Sequence, residues 1–304
     1  MFRMILPSRP HRMALAFLLI LPLSGCFPMK SARVAAVALT LDDVAKATAR
    51  QSDPELIRAG SPAYLMLLDG LLEAYPENRR LHLAACQAYA SYAAALPWEA
   101  GSAARIQGLY LKARNHGCRA LPGEIGERFP SAAEGDIESF TELLRKLGPG
   151  EVPALFWTTA AWAGWIGASQ GRPEALADLP ALEAAIRRLL ELDESFHFGG
   201  PHLLMAVYLS AKPPVSEKQL AQARAHFERA FQLGGDQVLS ARVMYAEYYA
   251  RGIRDRRLFE STLNGVLEAP EGGEVPELTL SNALAREKAR SLLERTDDYF
   301  ESPL

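Results

Sequence analysis

Apolar positions recur along this chain at the three-to-four-residue spacing of helices, and almost nowhere with the alternation of half-buried strands. The pattern predicts helices over residues 62–74, 79–96, 102–116, 137–147, 152–169, 174–192, 201–210, 216–233, 238–251, 256–268 and 280–295. An earlier helix is expected to begin at Leu41, where Thr40 can cap it and Asp42 and Asp43 suit its positive end. Gly148-Pro149-Gly150 and Lys212-Pro213-Pro214 are the clearest breakers, and Ser216 caps the next helix with Glu217 in its first turn. Residues 118–136 and 269–279 read as the longest loops. No run of alternating β-branched residues bounded by hairpin turns stands out, so the fold class is all-α.

The stretch at 154–167 differs from the other helices. It holds Trp157, Trp162 and Trp165, three of the four tryptophans, and no charge. On a helix, Ala160, Gly164 and Ala168 form a strip of small side chains that admits a close neighbour. A helix apolar nearly all round belongs inside a large helical body or in a membrane. At about fourteen residues it falls short of the roughly twenty that a span needs. It is therefore the expected central helix, its rings either filling a core or bordering an opening.

A weak internal repeat accompanies it. Residues 71–78 align with 189–196 as a helix end, a polar turn and a second helix start. Ala223, Phe227 and Ala230 share a spacing with Ile106, Tyr110 and Ala113. A small or aliphatic residue, a ring four later and an alanine three after that is how a tetratricopeptide second helix packs, the ring entering the partner helix. Stacked helical hairpins of this kind offer a concave surface or groove to a ligand or partner.

Composition changes this picture little. At 49% apolar and 23% charged, with a formal net charge of −3 over 304 residues, the chain can bury a core and carries no basic footprint for nucleic acid. The N-terminus changes it more. Arg3, Arg9 and Arg12 precede an apolar run at 13–23, the size of a signal-peptide core and too short to cross a bilayer. It ends in Leu23-Ser24-Gly25-Cys26, which resembles the lipobox of bacterial lipoproteins. That resemblance implies a signal peptide at 1–25, acylation of Cys26, a tether over 26–39 and a single helical domain at 40–304. Several acyl chains make a membrane anchor that does not readily leave. Phe27, rather than aspartate, follows the cysteine, so by that family's rule the protein is expected on the periplasmic face of the outer membrane. Cys86 and Cys118 remain in an oxidising compartment, where a disulfide is allowed. Their default is a pair of buried small hydrophobes.

Catalytic motifs are missing or mislead. Gly167-Ala168-Ser169-Gln170-Gly171 fits a nucleophile elbow in letters, but a helix precedes it and Arg172-Pro173 follows, so it reads as a helix end capped by Gly171. His197 and His202 are five apart around Gly199-Gly200-Pro201, a spacing that could serve a metal, but beyond Asp193 and Glu194 nearby no cysteine or close carboxylate pattern supports a site. They read as a loop residue and a helix-start residue. No zinc-protease helix, phosphate loop or dinucleotide fingerprint is present, and no enzyme, cofactor or metal is expected.

Several blocks together carry a wider resemblance. They are Phe156-Trp157-Thr158-Thr159-Ala160-Ala161-Trp162 with Gly164-Trp165-Ile166, Leu192-Asp193 with Gly200 and His202, and Ala223-Arg224-Ala225-His226-Phe227-Glu228-Arg229-Ala230. Further along come Tyr245-Ala246, Arg257-Leu258-Phe259 with Leu263, Val266-Leu267, and Asn282 with Ala289 and Leu292-Leu293. In this the chain resembles the T component of tripartite ATP-independent periplasmic (TRAP) transporters. The resemblance implies a non-catalytic lipoprotein that pairs with the transporter's periplasmic substrate-binding subunit, encloses an apolar cleft or pore, and can form a trimer. The cargo it implies is a hydrophobic or organic-acid ligand. Phe156, Trp157, Trp162, Trp165, His202 and Asn282 are then the cleft candidates. The alternative is an envelope scaffold of tetratricopeptide-like surfaces with no small-molecule ligand.

Overall fold

Asp53 opens the first long helix. Its carboxylate accepts from the backbone N–H groups of Glu55 and Leu56, and Pro54 stands where a helix needs no N–H. The computed structural model describes Leu41 and residues 43–97, 101–129, 136–213, 215–270 and 275–300. The leader, Cys26, the tether and Thr40 lie outside them. Among the described residues there are helices and no strand, so the protein is all-α. Asp42–Leu304 make one unit by their contacts, and every helix named below belongs to it.

After a helical stretch α1 at 43–49 come α2 (Pro54–Ala74), α3 (Arg79–Ala95), α4 (Ala103–Ala120), α5 (Gly123–Arg128) and α6 (Ile137–Arg145). The middle of the chain holds α7 (Val152–Ala168), α8 (Pro173–Ala177), α9 (Leu179–Asp193), α10 (Phe196–Ala211) and α11 (Glu217–Gly234). It closes with α12 (Leu239–Met244, continuing as a π-helix over Tyr245–Ala250), α13 (Arg256–Glu268), α14 (Thr279–Glu294) and α15 (Thr296–Phe300). Side-chain oxygens of Asn78, Asp136, Ser216 and Asp255 cap α3, α6, α11 and α13.

Four boundaries depart from the sequence pattern, each for a local reason. Pro62 reads as a helix start, yet it lies inside α2. The cap at Asp53 and the buried stripe Leu65, Leu68 and Leu72 outweigh the one hydrogen bond a mid-helix proline forgoes. The helix expected over 174–192 is broken at Asp178 into α8 and α9, with Pro180 in the first turn of the second. The loop expected at 118–136 contains α5, seated by buried Ile125. The helix expected from Pro201 is entered from Phe196 across a kink, three residues of left-handed backbone at His197, Phe198 and Gly199, so its entry departs from the pattern while its body does not.

Neighbouring helices pack in a circuit. α2 lies on α3, α3 on α4, α4 on α7, α7 on α9, α9 on α10 and α10 on α11. α12 comes next, then α13 and α14, and α14 returns to α2. The return is fastened by ions: Arg58 pairs with Glu287, and Arg50 with Glu277. Arg58 also donates from Nε to the Ala95 carbonyl at 2.7 Å, tying the end of α3 to the same joint. The core is divided. One apolar cluster runs from α4 to α12 around Phe129, Leu155, Trp162, Ile186 and Phe227. A second joins α12, α13 and α14 around Phe259, Leu263 and Ala289.

Candidate functional site: the uncharged wall of α7

α7 carries no charged residue from end to end, and its two sides have different surroundings. Leu155, Thr158, Thr159, Ala161 and Trp162 are buried. Trp157, Ala160, Ala163, Gly164 and Gly167 fall on the other side and keep accessible surface. The two threonines are accommodated in the apolar side by turning their hydroxyls back on the helix, donating to the Ala154 and Leu155 carbonyls at 2.6 and 2.7 Å.

α4 approaches α7 closely from Thr158 round to Gly164 on the small-residue strip. At Gly117 an added Cβ would come within 2.3 Å of the Thr158 hydroxyl and 3.0 Å of the Cys86 sulfur. At Gly164 it would meet the Tyr110 ring at 2.4 Å. Cys86 and Cys118 lie in this contact as unpaired, buried thiols. Burial pushes Cys118 up to about 11 and raises Cys86 as well, so neither is a thiolate at neutral pH.

The candidate rings separate into two groups. Trp162 is fully buried, its indole N–H donating to Asp178 at 2.6 Å and its ring lying 5.2 Å from Phe129. The Arg114 guanidinium stacks over it at 4.6 Å and stands 3.6 Å from the same aspartate. Trp165 is partly exposed at the edge of that guanidinium, 5.6 Å away. Phe156 and Trp157 belong to another cluster at the start of α10. Phe156 lies 5.2 Å from Phe196, and Trp157 5.3 Å from His197.

That cluster surrounds strained backbone. His197, Phe198 and Gly199 have φ of 50°, 61° and 80° in succession. Two non-glycine residues in the left-handed region cost about 1–3 kcal/mol each, and such strain concentrates at ligand clamps and switches. The tight entry brings Gly200 under Phe156, where a Cβ would meet the ring at 2.5 Å. His197 keeps accessible surface, yet desolvation by surrounding protein lowers its imidazole below the ordinary value.

Two residues outside the sequence candidates share that signature. Tyr110 of α4 is partly accessible while burial pushes its phenol up to about 12. Tyr248 sits on the π-helical turn of α12 and is raised by burial, then by Glu247 and by Tyr110 itself. π-turns are rare and recur at functional sites. Tyr110 stands in the sequence as a repeat ring; nothing in the sequence marks the wide turn under Tyr248.

His202 and Asn282 stand apart from the wall. Asn282 is a clip: its amide donates to the Gln237 carbonyl at 2.8 Å and its oxygen accepts from Leu239 N–H at 3.1 Å. His202 is buried on α10, bonded to His226 and Glu194. Ser169 of the misleading motif ends α7, donating to the Trp165 carbonyl and accepting from the Gln107 amide, both at 2.7 Å.

Residues 50–300 match the family model described as TRAP transporter T-component. The chain belongs to that family. No curated protein matches it. Among the described residues of this T component, no helix is long and apolar enough to cross a membrane.

The T component also carries two histidine pairs, each joining neighbouring helices. His82 of α3 meets His116 of α4 through their Nδ1 atoms at 3.1 Å, and His202 meets His226 in the same way at 2.8 Å. The Pro76 carbonyl and the Glu194 carboxylate can only accept, so His82 and His202 donate to them from Nε2. A neutral ring in that tautomer accepts at Nδ1, which makes His116 and His226 the donors. Burial first, then charge on the partner histidine, pushes His116 and His226 down to about 4. The unfolded chain takes up these protons below its ordinary value near 6.5 and the folded chain not until about 4, so stability present at neutral pH is lost as pH falls between the two. Allowing for screening of half-exposed rings, about 1 kcal/mol apiece is at stake. Glu194, held at about 2 by Arg229 and then His202, stays ionised through this window. The unfolding midpoint should drop several degrees from pH 7 to pH 4.5, and His116→Gln/His226→Gln should flatten the drop; an equal drop in both proteins would refute the assignment.

Proposed function

We propose that this T component is a non-catalytic, lipid-anchored accessory on the periplasmic face of the outer membrane. Acylated Cys26 holds it there, and its helices stack as tetratricopeptide-like hairpins, the buried triad Ala223, Phe227 and Ala230 being the packing such hairpins need. It docks the transporter's periplasmic substrate-binding subunit, assembles as a trimer, and takes a hydrophobic or organic-acid ligand into the space bordered by α4, α7, α10 and α12. The supporting observation is the accessible, uncharged side of α7 within a circuit of helices that α2 and α14 close. An apolar hollow with few polar groups suits such a ligand. Phe156, Trp157 and His197 form one end of the lining, and Trp165 is at its edge. Trp162, enclosed by Phe129, Arg114 and Asp178, fixes the wall from behind.

Titration of the full chain with medium-chain and aromatic carboxylates and ketones should shift its tryptophan emission. Trp157→Ala should fold and lose most of the shift. A wild-type chain unmoved across that panel would leave the scaffold reading in its place.

A further inference from the structure

α2 turns an uncharged face to solvent. Its buried stripe is Leu65, Leu68 and Leu72. On the opposite side Leu56, Met66 and Leu67 are 54%, 74% and 56% exposed. Ala59, Gly60, Ala63 and Gly70 lie among them and are exposed as well. Arg58 is drawn off the face to Glu287, and Asp69 to Tyr89 and Lys112. Glu55 and Glu73 stand at its two ends. The two glycines have no use within the chain. Glycine inside a helix costs stability relative to alanine, and a Cβ at Gly60 or Gly70 would meet nothing within 4 Å.

Large and small positions alternate on this face in a self-complementary order. Counted from Ala63, Met66 lies three residues on and Gly60 three back. Leu67 lies four on and Ala59 four back, Gly70 seven on and Leu56 seven back. Steps of three, four and seven stay on one side of a helix. A second α2 laid antiparallel, Ala63 against Ala63, therefore sets each large side chain over a small residue of the other copy. Such a patch is what an isologous two-fold contact requires. A lipid surface fits it less well. Helices that lie in a bilayer interface carry bulky apolar side chains flanked by lysine and arginine. Here half the face is alanine and glycine, and the charges at its ends are acidic.

The size of the face says where the pairing occurs. With 21 residues, α2 is about 30 Å long and about 10 Å wide, a face of roughly 300 Å² per copy. Stable dimers in dilute solution bury about 800 Å² per partner. The face is sized for copies already held together, and a shared membrane supplies that local concentration.

We propose that α2 pairs with the α2 of a second copy on the same membrane, antiparallel about Ala63. The contact rests on the Cys26 anchor proposed above, and is independent of the ligand chamber. Being two-fold, it joins two chains or two trimers and does not itself build a trimer.

The test is oxidative cross-linking of the full chain in isolated membranes. Cys86 and Cys118 are buried, so an Ala63→Cys thiol is accessible where they are not. Across the two-fold it meets its own copy within disulfide reach. Leu67→Cys, equally exposed, stands about 12 Å from its copy along the axis and should cross-link at least about tenfold more slowly. Adding Gly60→Leu to Ala63→Cys fills the space over which Met66 of the other copy sits, and should lose most of the cross-link. It favours the helix of the free chain, so unfolding does not explain that loss. Adding Met66→Ala as well exchanges large for small and should restore it. Equal rates at 63 and 67, no cross-link at 63, or a loss that Met66→Ala does not restore overturns the pairing. An Ala63→Glu chain that leaves lipid vesicles, or a transporter subunit, while Ala63→Cys stays uncross-linked gives the face to that other partner and overturns it too. The parent chain reads the anchor separately: an unacylated Cys26 shows as a cross-link without any added thiol.

Discussion

Trp162→Ala should cost about 3–5 kcal/mol of stability, the range for truncating a fully buried aromatic ring to alanine. The ring has no accessible surface, and the groups around it cannot close the gap cheaply. Phe129 is fixed against Phe140 at 5.3 Å, and Arg114 loses the face on which it stacks. Asp178 loses its indole donor as well. For a domain of this size, each kcal/mol is about 2–4 °C, so the unfolding midpoint should fall by roughly 10 °C. Trp157→Ala is the internal control. Its ring is half-buried on the accessible side of the same helix, and its loss should cost less than half as much. Urea unfolding followed by far-UV circular dichroism compares the two directly. Equal losses would mean that α7 has no open side.

How much of this was legible beforehand depends on the kind of interaction. The all-α class and the central place of α7 follow from periodicity and an absence of charge, because burying a helix all round leaves a one-dimensional trace. The close approach through Gly164 was legible too, since a small-residue strip has one main use. Which tryptophan faces the core was not. Trp157, Trp162 and Trp165 are alike in type, and what separates them is Asp178 and Arg114, brought from a helix break and from another hairpin. His202 and Asn282 look like cleft polar residues in sequence, but each is bonded to at least one group 24 or more residues away. Tyr248 was hidden for another reason. A π-turn re-aims a side chain without altering the residue pattern, so only the backbone reveals it. The left-handed entry to α10 had a partial signal in Gly199-Gly200-Pro201. The strain itself falls on His197 and Phe198, where sequence gives no warning.

Asp178→Asn isolates the other large term behind the wall. The amide oxygen can still accept from the Trp162 indole, so packing and that hydrogen bond survive while the negative charge is removed. Arg114 then remains as a cation with a side chain only 7% exposed, without the charge that Asp178 places 3.6 Å away. Its guanidinium is already pulled below its ordinary value by burial, with Asp178 acting in the opposite sense. Breaking a buried pair from one side typically costs about 3–5 kcal/mol, far more than the intact pair contributes, because the surviving charge is stranded. Arg114 also donates to the Phe129 carbonyl at 3.2 Å, and that bond offsets part of the loss. Asp178→Asn should therefore destabilise by about 3 kcal/mol, and Arg114→Met by a similar amount. The double variant should cost clearly less than the sum of the two, since a methionine in the guanidinium's place leaves nothing charged to strand. A double-mutant cycle by urea denaturation reads the coupling, expected at about 1–3 kcal/mol for groups in direct contact. Additive losses would show that Asp178 serves the helix break at the start of α9 rather than the cation above Trp162.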